Sequence, residues 1–333
     1  MTQKIKDIFS QFNNQTILII GDVMIDSYMW GNVDRISPEA PVPVVSVTKR
    51  EQRLGGAANV GLNIRALGAK PVMCAVIGND INGKTFFNLL SKREMSSQGI
   101  MISQDRFTTV KTRIISNNQH LLRVDEEITD NLNNSEKDNF IKHIEKLFAE
   151  NKFDAVIFED YDKGNITPEI IDFTVSKANT LKIPVLVDPK KNNFFDYKNV
   201  TLFKPNFKEI CEGTKTDIPK GDFEALHLAT DMLINKLKAQ HVMVTLSELG
   251  VFVTENGSYH RIPAQVRDIA DVSGAGDTVI SVAACCLAAG LNVKKSAAVA
   301  NIAGGLVCEK VGVVPVEKDI LMNEAELFFE HKQ

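Results

Sequence analysis

Apolar residues recur at helical spacing near the N-terminus, where Ile5, Ile8, Phe9 and Phe12 share one face of a short helix over residues 4–12. They then run unbroken from Thr16 to Ile20 before Gly21, the pattern of a strand buried on both faces. A helix is predicted from Gly55-Gly56-Ala57-Ala58-Asn59 to Leu67, a strand over residues 71–78 and a helix from Gly83 to Lys92. From residue 135 the alternation is regular. Helix 135–149 leads to strand 155–158, helix 167–180 to strand 184–187, strand 200–203 to helix 206–212, and helix 222–239 to strand 242–246. Such alternation predicts an α/β chain with a mostly parallel central sheet and helices on both faces. Residues 250–262 read as a hairpin turning at Glu255-Asn256-Gly257.

Two stretches break this rhythm. Residues 34–48 hold three prolines among alternating β-branched residues, and residues 108–125 are again strand-like, with a turn expected at Asn117-Asn118. Edge strands seek partners, so the two stretches predict a small β-sheet lid, formed by about 31–54 and 106–126 of one domain spanning 1–333. The same exposed edge is expected to carry a homodimer contact.

Composition narrows the class. Hydrophobic residues make up 44% of the 333, enough for a full core, and the net charge of −4 marks no nucleic-acid or anionic-membrane surface. A small anionic substrate would therefore need a local Arg/Lys cluster. The five cysteines, at 74, 211, 285, 286 and 308, form no ligand or disulfide pattern and read as reduced thiols. With no signal segment and no long apolar run, a cytoplasmic protein is expected.

Candidate chemistry centres on Asp271-Val272-Ser273-Gly274-Ala275-Gly276-Asp277-Thr278, which opens the small, apolar helix that follows. Unpaired N–H groups at Gly274, Ala275 and Gly276 would face an anion at the positive end of the helix dipole, and Asp277 could take a proton from a hydroxyl. A Gly-rich turn with Asp as a helix cap fits the same residues. Asp22 and Asp26 follow the first strand, where open α/β sheets bind ligands. Asp22 fits a turn residue equally well, whereas Asp26 reads as a sugar-hydroxyl acceptor. Gly55 and Gly56 allow close backbone approach, and Asn59 can donate to and accept from hydroxyls. Neither a dinucleotide fingerprint follows strand one nor does a P-loop occur. Asn206 and Glu209, one turn apart, could hold Mg²⁺ through water or form a capping box.

The combination of Gly55-Gly56-Ala57-Ala58-Asn59 with the later Gly274-Ala275-Gly276-Asp277 resembles the ribokinase-like (PfkB) sugar kinases over nearly the whole chain. Gly61, where the family usually has Ser, Thr or Ala, and Val282, where it usually has Gly or Ala, are departures at helix-packing positions. Arg35 to Val44, Lys111-Thr112-Arg113, Asn118-Gln119, Leu122-Arg123-Val124-Asp125 and Asp160-Tyr161-Asp162-Lys163-Gly164 resemble the bacterial heptose 7-phosphate kinases, including the kinase half of the bifunctional heptose kinase/adenylyltransferase. The chain ends some 55 residues after Asp277, so the stand-alone kinase form is expected.

The resemblance implies a ribokinase-like fold and ATP along Lys190, Asn206, Phe207, Lys208, Glu209, Thr245, Ser247, Gly250, Gly274, Gly276 and Asn301. It implies Mg²⁺ near Asn206 and Glu209, and a monovalent cation such as K⁺ at Asp271. The sugar would meet Asp26, Gly55, Gly56, Asn59, Gln119 and Asp160, and its remote phosphate Arg35, Arg113, Arg123 and Lys163. Any one of these cations alone reads as a solvated surface charge, and Asp125 could neutralise Arg123. The implied reaction is transfer from MgATP to the anomeric 1-hydroxyl of a heptose 7-phosphate. Kinases of ribose, fructose or fructose 6-phosphate, a silent sugar-phosphate sensor and a nicotinamide oxidoreductase are the alternatives.

Overall fold

The computed structural model describes residues 5–117 and 119–330. The apolar run after the first helix, α1 (Ile5–Gln11), becomes β1 (Thr16–Gly21), third from one edge of a nine-stranded sheet. Its other members are β4 (Lys70–Gly78), β5 (Ile100–Ser103), β8 (Ala155–Glu159), β9 (Val185–Asp188), β10 (Leu202–Phe203), β11 (His241–Thr245), β12 (Val251–Glu255) and β13 (Ser258–Ile262). The order is β13-β12-β11-β10-β9-β8-β1-β4-β5, parallel from β11 to β5, with β12 and β13 added antiparallel as the expected hairpin.

Alternation along β1 sorts the helices. Ile17 and Ile19 lie in one core with α1, α2 (Ala57–Ala66), α3 (Ile81–Lys92), α8 (Ala275–Ala288), α9 (Val293–Cys308) and α10 (Lys318–Glu330). Leu18 and Ile20 lie in another with α4 (Asn134–Glu150), α5 (Pro168–Thr180), α6 (Phe207–Thr214) and α7 (Phe223–Leu237). Helices therefore cover both faces, because successive strand side chains point to opposite sides.

The irregular stretches pair as expected. β2 (Val23–Ile36), β3 (Pro43–Gly56), β6 (Val110–Ser116) and β7 (Gln119–Glu126) make a separate sheet in the order β3-β2-β6-β7. Pro38 and Pro41 fall in the connection between β2 and β3, and Pro43 opens β3, where no ladder donor is lost. Asn117 takes the left-handed conformation at the β6–β7 turn, with φ 49°, while Asn118 lies outside the described residues. β2 and β3 are each 14 residues long, starting and ending closer to the core than the proline-rich segment suggests. β5, α9 and α10 are additions to the expected elements. Of the described residues, no helix is long and apolar enough to cross a membrane.

The C-terminal ends of β1, β8, β9 and β10 bring Asp22, Glu159, Asp188 and Lys204 to one edge of the sheet. The long strands of the second sheet start beside it.

Candidate active site

Gly274 takes a left-handed φ of 78° and caps α8 at its N-terminus. A Cβ there would come 2.8 Å from Asn59 Nδ2, so the glycine lets α8 meet the start of α2. Asn59 donates to Asp277 Oδ2 at 2.7 Å, and Tyr161 Oη donates to Oδ1 at 3.0 Å. Asp277 is 6% exposed. Burial pushes its carboxyl up to about 6, with Asp188 adding to the rise, while the Asn59 and Tyr161 bonds and Lys204 oppose it. The Asn59 Oδ1 is buried and has no partner among the described residues.

Tyr161 sits in a loop that Asp22 anchors. The Asp22 carboxylate accepts the backbone N–H groups of Tyr161 at 2.8 Å, Lys163 at 3.1 Å and Asn165 at 3.3 Å. Burial and the neighbouring Asp160 push the Asp22 carboxyl up to about 7 against those donors. Beneath the turn at Gly274, carboxylate oxygens of Glu159, Asp188 and Asp277 all lie within 4.8 Å of one another. Lys204, 2% exposed, approaches Asp188 Oδ2 at 2.7 Å.

On the second sheet, Asp26 accepts from Arg113 Nη1 at 2.5 Å. A Cβ at Gly55 would run into Asp26 Oδ2, and Gly56, at φ 58°, has no room beside the Asp22 carbonyl. The guanidinium groups of Arg53 and Arg113 lie 5.0 and 5.4 Å from the centre of the Tyr28 ring. Arg123 pairs with Asp125 at 2.9 Å, Lys163 with Glu127 at 2.8 Å, and Lys111 bridges both acids. Gln119 is exposed, as is Arg35, which forms no ion pair among the described residues.

The third wall is a cleft of about 340 Å³ between α6, α7 and the end of β11. Asn206, Phe207, Lys208, Thr245 and Ser247 line it. Lys190 reaches Glu209 Oε1 at 2.5 Å, and its ammonium lies 5.4 Å from the Tyr161 ring centre. Asn206 and Glu209 form the capping box: Asn206 Oδ1 accepts the Glu209 N–H at 2.9 Å, and Glu209 Oε2 accepts the Asn206 N–H at 2.8 Å. Gly250, at φ 86°, turns into β12, and Asn301 donates to the Pro263 carbonyl at 3.0 Å. Asp271 accepts the N–H groups of Ser273 and Gly312, each at 2.9 Å. Burial works against ionisation of Asp271, but those donors outweigh it and hold the carboxyl below its ordinary value.

The profile of the pfkB family carbohydrate kinases matches residues 14–319. This chain belongs to that family. Among its relatives are the bifunctional protein HldE of Pelobacter propionicus, 35% identical over 98% of this chain, and HldE of Helicobacter acinonychis, 38% identical over 89%. The chain spans 66% and 63% of the length of those two relatives. Among solved structures, phosphofructokinase-2 from Escherichia coli in complex with potassium superposes with a TM-score of 0.77 at 17% identity, covering 95% of this chain and 99% of that one. Arabidopsis thaliana ribokinase complexed with ribose and ATP gives 0.72 at 15%, covering 94% and 98%. The fold is ribokinase-like α/β, and the protein is a phosphotransferase acting on a sugar hydroxyl.

Within this pfkB kinase, Asp277, Asn59, Gly274, Ala275 and Gly276 converge at one point, and Asp26, Gly55 and Arg113 at another. Asp160 behaves differently. It is 1% exposed, and its carboxylate accepts from Tyr197 at 2.6 Å, Asn193 at 3.1 Å and the Asp162 N–H at 2.8 Å, all internal partners. Sequence reasoning missed Tyr161 as a partner of Asp277, and it did not single out Glu159, Lys204 or Arg53, which lie close to the candidate site. The available signal was positional: Glu159, Asp188 and Lys204 each end, or directly follow, an apolar strand of the parallel sheet.

Proposed function

We propose that this carbohydrate kinase transfers the γ-phosphoryl group of ATP to the anomeric 1-hydroxyl of D-glycero-β-D-manno-heptose 7-phosphate, giving the 1,7-bisphosphate. The observation that carries this reading is the buried Asp277 carboxylate, oriented by Asn59 and Tyr161 in the first turn of α8. Asp277 accepts the proton of the attacking hydroxyl, and the N–H groups of Gly274 and Gly276 hold the negative charge that develops on the migrating group, whereas the Ala275 N–H, expected to be unpaired, already donates to the Val272 carbonyl at 3.3 Å. Asp26, Gly56 and the unpartnered Asn59 Oδ1 position the sugar. Arg113, with Arg35 and Arg123 on the same small sheet and Lys163 nearby, meets the remote phosphate, because guanidinium groups bind phosphate through paired donors. Closure of that sheet over the sugar excludes water.

ATP lies along the cleft at Asn206, Phe207, Lys208, Thr245 and Ser247, with Lys190 toward its phosphates. Mg²⁺, when bound, neutralises the charge of the β- and γ-phosphates. Asn206 and Glu209 already use their facing oxygens in the capping box and the Lys190 pair, so they fit a hold through water rather than direct ligation. A monovalent cation such as K⁺ is assigned to the Asp271 carboxylate, which two backbone N–H groups keep ionised. The β2-β6-β7 surface, with Leu122 57% and Val124 42% exposed, suits a homodimer contact.

A panel of sugar phosphates incubated with MgATP, read by ADP release, tests the substrate. Heptose 7-phosphate should exceed the others by at least about tenfold in kcat/KM. Equal turnover of ribose, fructose or fructose 6-phosphate would move the assignment to another sugar kinase of the family.

A further inference from the structure

We propose that Arg106 is a positioning residue for the phosphoryl transfer: it holds the Tyr161 loop in the shape that presents the tyrosine hydroxyl to Asp277. Arg106 is half-buried on the stretch that leads into β6. Its Nη1 donates to the Asp130 carbonyl at 2.6 Å, and its Nη2 donates to the carbonyls of Ile128 at 3.4 Å and of Lys163. Ile128 and Asp130 follow the end of β7. One guanidinium thus joins the entry and the exit of the β6–β7 hairpin to the loop, two residues past Tyr161.

The loop needs such a hold. Asp162 sits at φ 54° and Gly164 at φ 78°, and for the aspartate that left-handed backbone is unfavourable. A strained segment persists only where its surroundings over-determine it. Asp22 satisfies the donors of the loop by accepting the N–H groups of Tyr161, Lys163 and Asn165. Arg106 and Leu132 satisfy its acceptors. The Lys163 carbonyl receives Arg106, and the Gly164 carbonyl receives the Leu132 N–H at 3.1 Å. A Cβ on Gly164 would run into the Asp130 carbonyl oxygen, so the two backbone segments touch, and that same oxygen is bound by Arg106.

The choice of side chain follows from this geometry. A guanidinium offers five N–H donors in a rigid fork and can reach carbonyls that point in different directions, whereas an ammonium on a flexible stem holds fewer of them in register. With Arg106 removed, the Lys163 carbonyl loses its donor, Asp162 is free to leave its strained conformation, and the Tyr161 hydroxyl loses its aim at Asp277 Oδ1. The part in the reaction rests on reading Asp277 as the proton acceptor, whereas the hold on the loop does not.

The test is a double-mutant cycle of Arg106→Ala and Tyr161→Phe, with Arg106→Lys beside it, assayed with MgATP and heptose 7-phosphate. Arg106→Ala should lower kcat by about 5- to 20-fold, change either KM by less than about threefold, and move the pH midpoint of kcat/KM upward as Tyr161→Phe does. The double variant should match Tyr161→Phe alone, since both changes remove the same bond, and Arg106→Lys should recover part of the loss. Losses that multiply in the double variant, an unmoved midpoint, or a raised KM with kcat intact would each overturn the proposal. Amide hydrogen exchange over residues 160–165 reads the loop without turnover, and Arg106→Ala should speed it by at least about tenfold. If Arg106→Ala does not fold, Arg106→Lys and Arg106→Gln take its place in the cycle and in the exchange measurement. Faster exchange together with wild-type turnover in Asp277→Asn would keep the hold and remove its part in the reaction. Unchanged exchange in an enzyme that Asp277→Asn inactivates would do the reverse, sinking the role of Arg106 and sparing the proton acceptor.

Discussion

Tyr161 Oη donates a hydrogen bond to Asp277 Oδ1 at 3.0 Å, although the two residues are 116 positions apart in the chain. The bond stabilises the ionised carboxylate, opposing the burial that favours the neutral acid. Tyr161→Phe should therefore fold normally and lose about 10- to 100-fold in kcat, the equivalent of one hydrogen bond to a charged group. Its pH profile should also shift upward by a measurable fraction of a unit. A purely structural tyrosine would lower stability and leave the profile in place, so kcat/KM against pH decides the matter.

The wild-type pH dependence follows from the Asp277 carboxyl at about 6, raised from 3.8. A base must be ionised, so kcat/KM should fall about tenfold per pH unit below about 6 and level off above it. Stability runs the other way. From about pH 4 to 6 the folded chain keeps a proton that the unfolded chain has released, so this group's contribution declines as pH rises through that window. Asp277→Asn should flatten that component, as read by chemical denaturation at several pH values.

The same Asp277→Asn variant should bind ATP with near wild-type affinity while kcat drops by about 10²–10⁴. Isothermal titration with ATP and an ADP-release assay on one preparation check both halves. Turnover close to wild type would remove Asp277 as the base.

Arg113 and Asp26 are 17% and 6% exposed at their side chains, so neither charge is well solvated without the other. Arg113→Ala should lower stability by about 3 kcal/mol through the stranded carboxylate. It should also raise KM for a phosphorylated sugar far more than for its unphosphorylated analogue. A uniform effect on both sugars would leave Arg113 with the structural part alone.

Gly55 is held to glycine by the Asp26 carboxylate, which occupies the space a Cβ would need. Gly55→Ala should cost about 1–3 kcal/mol by overpacking, and the displaced Asp26 carboxylate should raise KM for the sugar. Gly257, whose Cβ would meet nothing within 4 Å, is the control for glycine loss as such, although its φ of 75° adds some strain. Melting temperatures and KM for the two variants should diverge accordingly.

The layered sheet was legible because its signal is local. Short apolar runs such as Thr16–Ile20 and Ala155–Phe158, rich in β-branched residues and too short for helices, read as buried strands, and the helices between them show their own period. The extent of β2 and β3 was not, since residues 23–30 extend the apolar pattern of the core and owe their strand to pairing with residues 49–56. α9 is rich in alanine and glycine and buried on many sides, so it carries little amphipathic contrast. In the site, Asp277, Asn59 and the glycines were readable from compact motifs. Glu159, Asp188 and Lys204 were not, because single polar residues at strand ends acquire meaning only when parallel register sets them side by side. The competing reading of Asn206 and Glu209 as a capping box describes the bonds they make, and their spacing could not distinguish it from a metal hold.

Asp22 is the single residue between β1 and β2, and its carboxylate also grips the loop that presents Tyr161. The junction between the two sheets and the anchor of the loop that presents Tyr161 to Asp277 are thus the same amino acid, so one substitution at Asp22 loosens both.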